Sequence, residues 1–277
     1  MNVAVMTDTN SGITVEEAGE LGIFCMPMPV IIDEKNYIEG VDLSRSGFFE
    51  ILTLGAEVST SQPSPGELMD MWDDILGKGY DQIIYIPMSS GLSSSQKNAQ
   101  MFAEDYEGRV FVADNHRISV TQRQSVMDAR MLSKAGVDAS EIKKRLEESA
   151  YDSVVYLAVD TLDYLKRTGR VNATAATVGG VLGIKPVLRT TGENFEVCSV
   201  ARGIKKASSK IIESMNEELI IGAAGSFVNP IDEGNWSSVI REAFPDIEVY
   251  YNKLSCSISA HTGPNAMGVG ISRKLKA

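Results

Sequence analysis

The chain has 277 residues, of which 43% are hydrophobic and 23% are charged, and its formal net charge is -11 at pH 7. The composition is that of a globular protein, and the length is sufficient for two domains. The negative charge argues against nucleic acid and against an anionic membrane surface as partners, because binding to either requires clustered Lys and Arg.

The cysteines and the N-terminus bear on the cellular compartment. Cys25, Cys198 and Cys256 are far apart and none belongs to a Cys-x-x-Cys pair, so we expect three buried, reduced thiols rather than a disulfide framework or a zinc site. The first residues, MNVAVM, lack a basic region and are typical of a strand, not of a signal peptide. Because no apolar run approaches about 18 residues, we predict a cytoplasmic protein.

The first predicted strand, residues 3–6, ends in the polar run TDTNS at 7–11. Ligands of open α/β sheets lie at the carboxyl ends of the strands, so this run is a candidate wall of a ligand site. The alternative interpretation is that Asp8 or Ser11 merely caps the helix predicted for residues 15–20.

Hydroxyl residues precede the third predicted helix. An extended segment with two prolines at 23–32, a returning strand at 36–40 and a helix at 45–54 come first. In SPGE at 64–67, Ser64 is the predicted N-cap of a helix that ends at residue 76. Thr60 and Ser61 are not needed for that cap, so they are available to a ligand.

The densest group of hydroxyls is the sequence SSGLSSS at 89–95, between an apolar strand at 81–87 and a polar helix at 96–105. A helix N-terminus presents unpaired N–H groups and the positive end of the helix dipole, which suits an anion. One serine would suffice as a cap. Five serines in seven positions favour a ligand site without naming the ligand.

Strands alternate with helices up to about residue 150. A strand at 109–113 ends in Asp114-Asn115-His116, the third strand that leads into polar residues, and helices follow up to 134 and over 139–149. We therefore predict an N-terminal α/β domain, residues 1–150, with a parallel sheet sandwiched by helices.

Residues 151–277 contain more strands per residue, which predicts a C-terminal α+β domain with a mixed or antiparallel sheet. The predicted strands are at 154–159, 184–188, 196–202, 219–224, 247–251, 254–259 and 268–272. The predicted helices are at 173–182, 204–218 and 235–244. Arg170 follows a helical turn that Gly169 stops, and His261 stands at the predicted end of a strand, where a site role is expected.

A serine hydrolase is the enzymatic hypothesis. Ser93 and His261 are present, and Asp8 or Asp114 would orient the base. However, the G-x-S-x-G motif is absent. The other histidine, His116, lies beside a predicted helix cap and is assigned to the surface. Two histidines are few for a metal site. We expect no catalytic residue, no metal and no cofactor.

Six short motifs occur in order along nearly the whole chain. They are TDT at 7–9, TSQPS at 60–64, SSGLS at 89–93, TLDYLKRTGRV at 161–171, IKPVL at 184–188 and HTGP at 261–264. Together they resemble the DegV family of bacterial fatty-acid-binding proteins. The resemblance implies two α/β domains with a long-chain fatty acid between them, its tail in an apolar tunnel and its carboxyl group among hydroxyls.

The resemblance also implies roles for individual residues. Thr60 and Ser93 match the carboxylate-binding hydroxyls of the family, and His261 matches a histidine close to the carboxyl group. We expect Ser61 and Ser94, their neighbours, to join this ligand-binding site. Arg170 matches a residue that faces a separate ATP-using fatty acid kinase subunit, to which some members present the carboxylate for acyl phosphate formation.

The chain departs from the family pattern at three places. Ser94-Ser95 stands where Gly-Thr is usual, Asn265 where Gly is usual, and Asp114-Asn115 where Asp-Ser is usual. The first two departures flank the head-group site, so they affect its hydrogen-bond geometry more than the class of ligand.

The predicted function is therefore non-catalytic fatty-acid binding without stable membrane insertion, with presentation of the ligand to a kinase subunit. Charge-assisted hydrogen bonds to a carboxylate contribute roughly 1.5–3 kcal/mol each, and burial of the tail contributes about 0.8 kcal/mol per CH₂. The alternatives are a serine esterase or lipase that uses Ser93 and His261, and a module that binds another amphiphile or a small anion.

Overall fold

The computed structural model describes residues 1–172, 184–213, 220–225, 238, 240–242, 249–273 and 275. The strands in these ranges are β1 (Val3–Asp8), β2 (Phe24–Met26), β3 (Pro29–Ile32), β4 (Lys35–Ile38), β5 (Val58–Thr60), β6 (Gln82–Ile86), β7 (Val110–Val112), β8 (Ser153–Ala158), β9 (Ile184–Thr190), β10 (Glu196–Arg202), β11 (Ile220–Gly225), β12 (Tyr250–Lys253) and β13 (Met267–Ser272).

The α-helices in the same ranges are α1 (Val15–Leu21), α2 (Arg45–Thr53), α3 (Pro65–Gly77), α4 (Ser95–Ala103), α5 (Val120–Lys134), α6 (Ala139–Glu148), α7 (Asp163–Arg167), α8 (Gly203–Glu213) and α9 (Cys256–Thr262). No helix in the described part of the chain is long and apolar enough to cross a lipid bilayer.

The first sheet is parallel throughout, in the order β2-β1-β6-β7. Every residue of β1 is buried, because helices cover both faces of the sheet. Apolar residues of α1, α5 and α6 pack on one face, and those of α3 and α4, including Trp72, pack on the other. The predicted parallel sheet between layers of helices is confirmed.

The second sheet has six strands in the order β10-β9-β8-β13-β11-β12. All its pairs are antiparallel except the parallel pair β11–β12, which confirms the predicted mixed sheet. A third, antiparallel sheet has the order β4-β3-β5 and packs with α2 and α9. The division into domains at residue 150 stays a prediction.

One predicted strand, residues 254–259, is wrong, because this segment forms α9. Ser255 is the N-cap, and its Oγ accepts a hydrogen bond from the N–H of Ile258 at 3.1 Å. Apart from His261, every residue of α9 is buried. Since the helix is packed on all sides, its alternating sequence reflects burial rather than a strand. His261 therefore lies in the last turn of a helix, not at a strand end.

Other predictions need smaller corrections. Cys25 and Cys256 are buried, but Cys198 is exposed, because it shares the solvent-facing side of β10 with Glu196 and Val200. Thr14, rather than Asp8 or Ser11, caps α1. The helix predicted for residues 173–182 lies outside the described residues, as do most of the helix at 235–244 and the start of the strand at 247–251.

The tip of the β9–β10 hairpin, residues 191–195, docks against the loops that follow β6 and β7. The Ser89 hydroxyl donates a hydrogen bond to the carbonyl of Gly192. A Cβ atom at Gly192 would lie 2.0 Å from the carbonyl oxygen of His116, and one at Gly91 would lie 2.5 Å from that of Gly192. The two segments pack this closely because neither glycine has a side chain.

Substitution of Gly192 tests this contact. Gly192 has φ +107°, and Gly79 has φ +93°, but a Cβ atom added at Gly79 would meet no neighbour within 4 Å. Gly79→Ala therefore reports the backbone cost alone, about 1–2 kcal/mol. Gly192→Ala adds the collision with His116, about 1–3 kcal/mol more. Urea unfolding measures both variants. Equal losses would show that the hairpin adjusts without cost.

Candidate functional site

Loops from all three sheets surround one cavity of about 300 Å³, a volume at the lower end of the range for small-molecule sites. The six predicted site residues all line it: Thr60, Ser61, Ser93, Ser94, Arg170 and His261. Most of the remaining wall is apolar: Met28, Met88, Leu92, Ile118, Leu165, Phe195 and Ile258. The structure therefore brings together polar and apolar residues that are distant in sequence.

Asp8 fixes the strand ends on which the cavity is built. Its buried carboxylate accepts hydrogen bonds from the N–H groups of Asn10 (3.0 Å) and Met88 (3.1 Å) and from Nε2 of Gln122 (3.0 Å). Burial raises the pKa of Asp8 to about 6, although these hydrogen bonds oppose the shift. The TDTNS run contributes to the cavity wall through Asn10, whereas Asp8 caps the 3-10 turn that follows β1 rather than α1.

The first residues of the serine loop, residues 89–95, anchor it to neighbouring segments, and later residues line the cavity. The N–H of Ser89 donates to the carbonyl of Arg117 at 3.0 Å, and the N–H of Ser90 donates to Oδ1 of Asp114 at 3.2 Å. Ser93 and Ser94 line the cavity instead. Ser94 is the N-cap of α4 but makes no side-chain capping bond, so α4 begins at the cavity wall.

Thr60 and His261 form the contact that joins the third sheet to α9. The Oγ1 of Thr60 lies 2.8 Å from Nε2 of His261. Burial lowers the pKa of His261 to about 4, and the positive charges of Arg170 and Arg167 add to the effect. At neutral pH the imidazole is therefore uncharged. Its buried Nδ1 has no hydrogen-bond partner among the described residues.

Arg170 also lines the cavity. It follows Gly169, whose φ of +70° ends the turn after α7 in the left-handed region that glycine favours. Its Nε donates to the carbonyl of Leu92 at 3.3 Å, and Nη1 donates to the carbonyl of Thr168. Arg170 is half-buried and connects the end of α7 to the serine loop.

The geometry gives the serine hydrolase no support in the described part of the chain. Nε2 of His261, which a triad would direct at the serine, contacts Thr60, and the Ser93 hydroxyl donates to Oγ of Ser95 at 3.2 Å. Asp8 and Asp114 accept hydrogen bonds from other loops, so neither orients Nδ1. The described residues also contain no cluster of His, Cys, Asp and Glu suited to a metal ion.

Sequence reasoning missed the residues that support the site. Glu39 accepts hydrogen bonds from the N–H of Cys256 at 2.6 Å and from Oγ1 of Thr9 at 3.2 Å, which anchors the start of α9. Nδ2 of Asn98 donates to Oε1 of Gln62 at 2.6 Å. No local pattern distinguishes these side chains, since each acts across a tertiary contact.

Comparison with known proteins places these features in a family. A family model described as "Uncharacterised protein, DegV family" matches residues 2–274. Protein DegV of Bacillus subtilis is 31% identical over 279 residues, which cover 97% of this chain and 98% of that protein. A DegV domain-containing protein of Caldanaerobacter subterraneus is 30% identical, with 98% of this chain and 99% of that protein covered.

Two solved structures share the fold. The DegV family protein from Thermus thermophilus, described as fatty-acid binding, has a TM-score of 0.86 and 27% identity, with coverage of 98% of this chain and 99% of that chain. DegV from Bacillus subtilis, described as a fatty acid binding protein, has a TM-score of 0.83 and 29% identity, with coverage of 99% and 100%.

The depressed pKa of His261 predicts a pH dependence of stability. Its pKa falls from 6.5 to about 4 on folding. Between pH 4 and pH 6.5, His261 is therefore protonated in the unfolded chain and neutral in the folded chain. The resulting stabilisation is complete above pH 6.5 and is lost as the pH falls through 4. It amounts to roughly 3 kcal/mol at about 1.36 kcal/mol per pKa unit.

Urea unfolding across this pH range tests the expectation. His261→Gln removes the titrating group and preserves a polar contact for Thr60, so the stability difference between the wild type and this variant changes with pH in the stated direction. His116→Gln removes the other histidine and is the matched control. A pH profile of His261→Gln identical to that of the wild type would contradict the assignment.

Proposed function

The chain belongs to the DegV family, and on this basis we propose that it binds a long-chain fatty acid in the main cavity, the one of about 300 Å³. The observation that carries the proposal is that Thr60, Ser93 and His261 line one cavity whose remaining wall is mostly apolar. The fatty-acid-binding relatives from Thermus thermophilus and Bacillus subtilis support it.

In this proposal the hydroxyls of Thr60 and Ser93 donate hydrogen bonds to the carboxylate. Thr60 donates to the ligand only if its oxygen accepts a hydrogen bond from His261, 2.8 Å away. This requires the neutral imidazole tautomer with its proton on Nε2. Nδ1 is then an acceptor, which fits its lack of a partner among the described residues. His261 thus orients the Thr60 hydroxyl.

Arg170 is the side chain with a permanent positive charge among those that line the main cavity. Its guanidinium already donates hydrogen bonds to the carbonyls of Leu92 and Thr168, so we assign its charge to the kinase partner and the binding of the carboxylate to the neutral hydroxyl donors. Ser61 and Ser94 lie beside the two main hydroxyls and supply further donors at the rim. A charge-assisted hydrogen bond contributes roughly 1.5–3 kcal/mol.

The apolar walls receive the acyl tail. Met88, Leu92, Ile118, Phe195 and Ile258 line the main cavity, and burial of a methylene group contributes about 0.8 kcal/mol. Residues before and after position 150 both contribute to these walls. This supports the proposed division into domains 1–150 and 151–277 with the ligand between them.

The proposed role in the cell is to present the fatty acid to a separate ATP-dependent kinase subunit that forms acyl phosphate in the cytoplasm. This chain has no catalytic role in that reaction. Arg170 is the proposed partner-facing residue, supported by its half-buried position beside the head-group hydroxyls.

The first test is the ligand itself. We expect mass spectrometry of the purified protein to detect a fatty acid, and the delipidated protein to take up added fatty acid. Ser93→Ala and Thr60→Val each remove one donor, so each is expected to weaken binding roughly 10- to 100-fold. Ser90→Ala is the matched control, because Ser90 belongs to the same loop but does not line the main cavity.

Two outcomes count against this proposal. A protein that contains no acyl chain and takes up none is not a fatty-acid carrier. Covalent labelling of Ser93 by a fluorophosphonate probe would favour the hydrolase, since the probe reacts with an activated serine.

A second test separates binding from presentation. We expect Arg170→Ala to reduce acyl phosphate formation with a bacterial fatty acid kinase ATP-binding subunit by about tenfold or more, because a charge is lost at the interface. Fatty-acid affinity, measured by calorimetry, should fall much less. Lys144→Ala, which removes an exposed positive charge on α6, is the control. Equal losses of affinity and acyl phosphate formation would refute the partner-facing role.

A further inference from the structure

A second, smaller cavity lies directly behind the main one. This rear lobe has a volume of about 20 Å³. It shares four wall residues with the main cavity: Ile118, Phe195, Ile258 and Thr262. The rear lobe is therefore an extension of the main cavity, separated from it by side chains that both cavities touch.

The rear lobe differs from the main cavity in polarity. Apolar atoms alone form its surface, and the head-group residues Thr60, Ser93 and Arg170 do not line it. Elsewhere, the wall of the main cavity includes the buried Asn10, whose Nδ2 has no hydrogen-bond partner among the described residues. A hydrocarbon end packed there would keep an unpaired donor from water, which costs free energy. The rear lobe carries no such cost.

Glycines of β13 form the floor of the rear lobe. Gly268 and Gly270 both line it, because residues two apart in a strand share a face. Met267, Val269 and Ile271 point to the opposite face and pack in the cluster that includes residues of α8. The absence of side chains at the two glycines leaves the lobe open.

Gly270 has no room for a side chain. A Cβ at Gly270 would lie 2.5 Å from Cγ2 of Val120 and 2.7 Å from Cγ2 of Thr121, so Gly270 allows α5 to pack on the sheet. Gly268 pairs with Leu157 of β8, another residue of the lobe wall. Because Gly268 lines the lobe and lies on the same face of β13 as Gly270, a carbon added at Gly268 extends toward the lobe.

We propose that the rear lobe receives the terminal methyl group of the acyl chain and that Gly268 limits the length of chain that fits. This inference rests on the proposed function. The lobe, at about 20 Å³, exceeds the 10–15 Å³ or so that one water-sized group requires. It accommodates about one methyl-sized group, so one added carbon in its wall shortens the accepted chain by about one carbon.

The experiment measures dissociation constants of the delipidated protein for a homologous series of saturated fatty acids. Gly268→Ala adds one carbon to the lobe, and the matched control Val269→Ile adds one carbon to the opposite face of the same strand. For Gly268→Ala we expect the preferred length to become shorter by about one carbon. Longer acids should lose about fourfold in affinity per excluded methylene, equivalent to about 0.8 kcal/mol, and Val269→Ile should leave the profile unchanged.

A second variant tests the opposite direction. Leu157→Val removes one carbon from another wall of the lobe, so the preferred length should increase by about one carbon. This variant also keeps the test decisive if Gly268→Ala does not fold. A length profile unchanged in the variants that fold, or an equal loss of affinity at every length, overturns the assignment of the lobe. Failure of the wild type to bind any fatty acid instead overturns the proposed function.

Discussion

The cavity depends on the hydrogen bonds that the buried carboxylate of Asp8 accepts. This carboxylate binds the backbone of Asn10 after β1, the backbone of Met88 after β6, and the side chain of Gln122 on α5. A buried charge is costly unless it is paired or fully hydrogen-bonded, and here three donors stabilise it. Because Asn10 and Met88 both line the main cavity, one carboxylate sets the position of two of its walls.

The ionisable side chains near the cavity, Asp8, His261 and Arg170, have different surroundings. Asp8 accepts three hydrogen bonds from the strand ends and α5, which oppose the rise of its pKa to about 6 caused by burial. His261 is neutral, because its pKa is about 4. Arg170 is thus the charged side chain among the described residues that line the cavity, and the other polar groups of that lining are neutral.

Local signals in the sequence predicted much of the fold. The capping box of Ser64 and Glu67 is present as expected, and hydrophobic runs identified the parallel strands. The sequence predicted a strand in place of α9 because apolar and polar residues alternate there, and nearly all of them are buried in the helix. The hydroxyls were visible as a cluster, but Thr60 and His261 are 201 positions apart. Their contact depends on tertiary packing, so only the family resemblance placed them together. Glu39 and Asn98 gave no signal in sequence or resemblance.

Glycines determine where segments around the cavity pack most closely. Interiors are otherwise close-packed, and an unsupported cavity loses free energy as its walls lack contacts. At Gly91 and Gly192, missing side chains allow the hairpin tip to dock on the serine loop, which holds Phe195 in the cavity wall. At Gly270, the same absence brings α5 onto the sheet. These close backbone contacts fix the relative positions of the hairpin, the serine loop and α5. The volume of the cavity between them is then set by the side chains that line it.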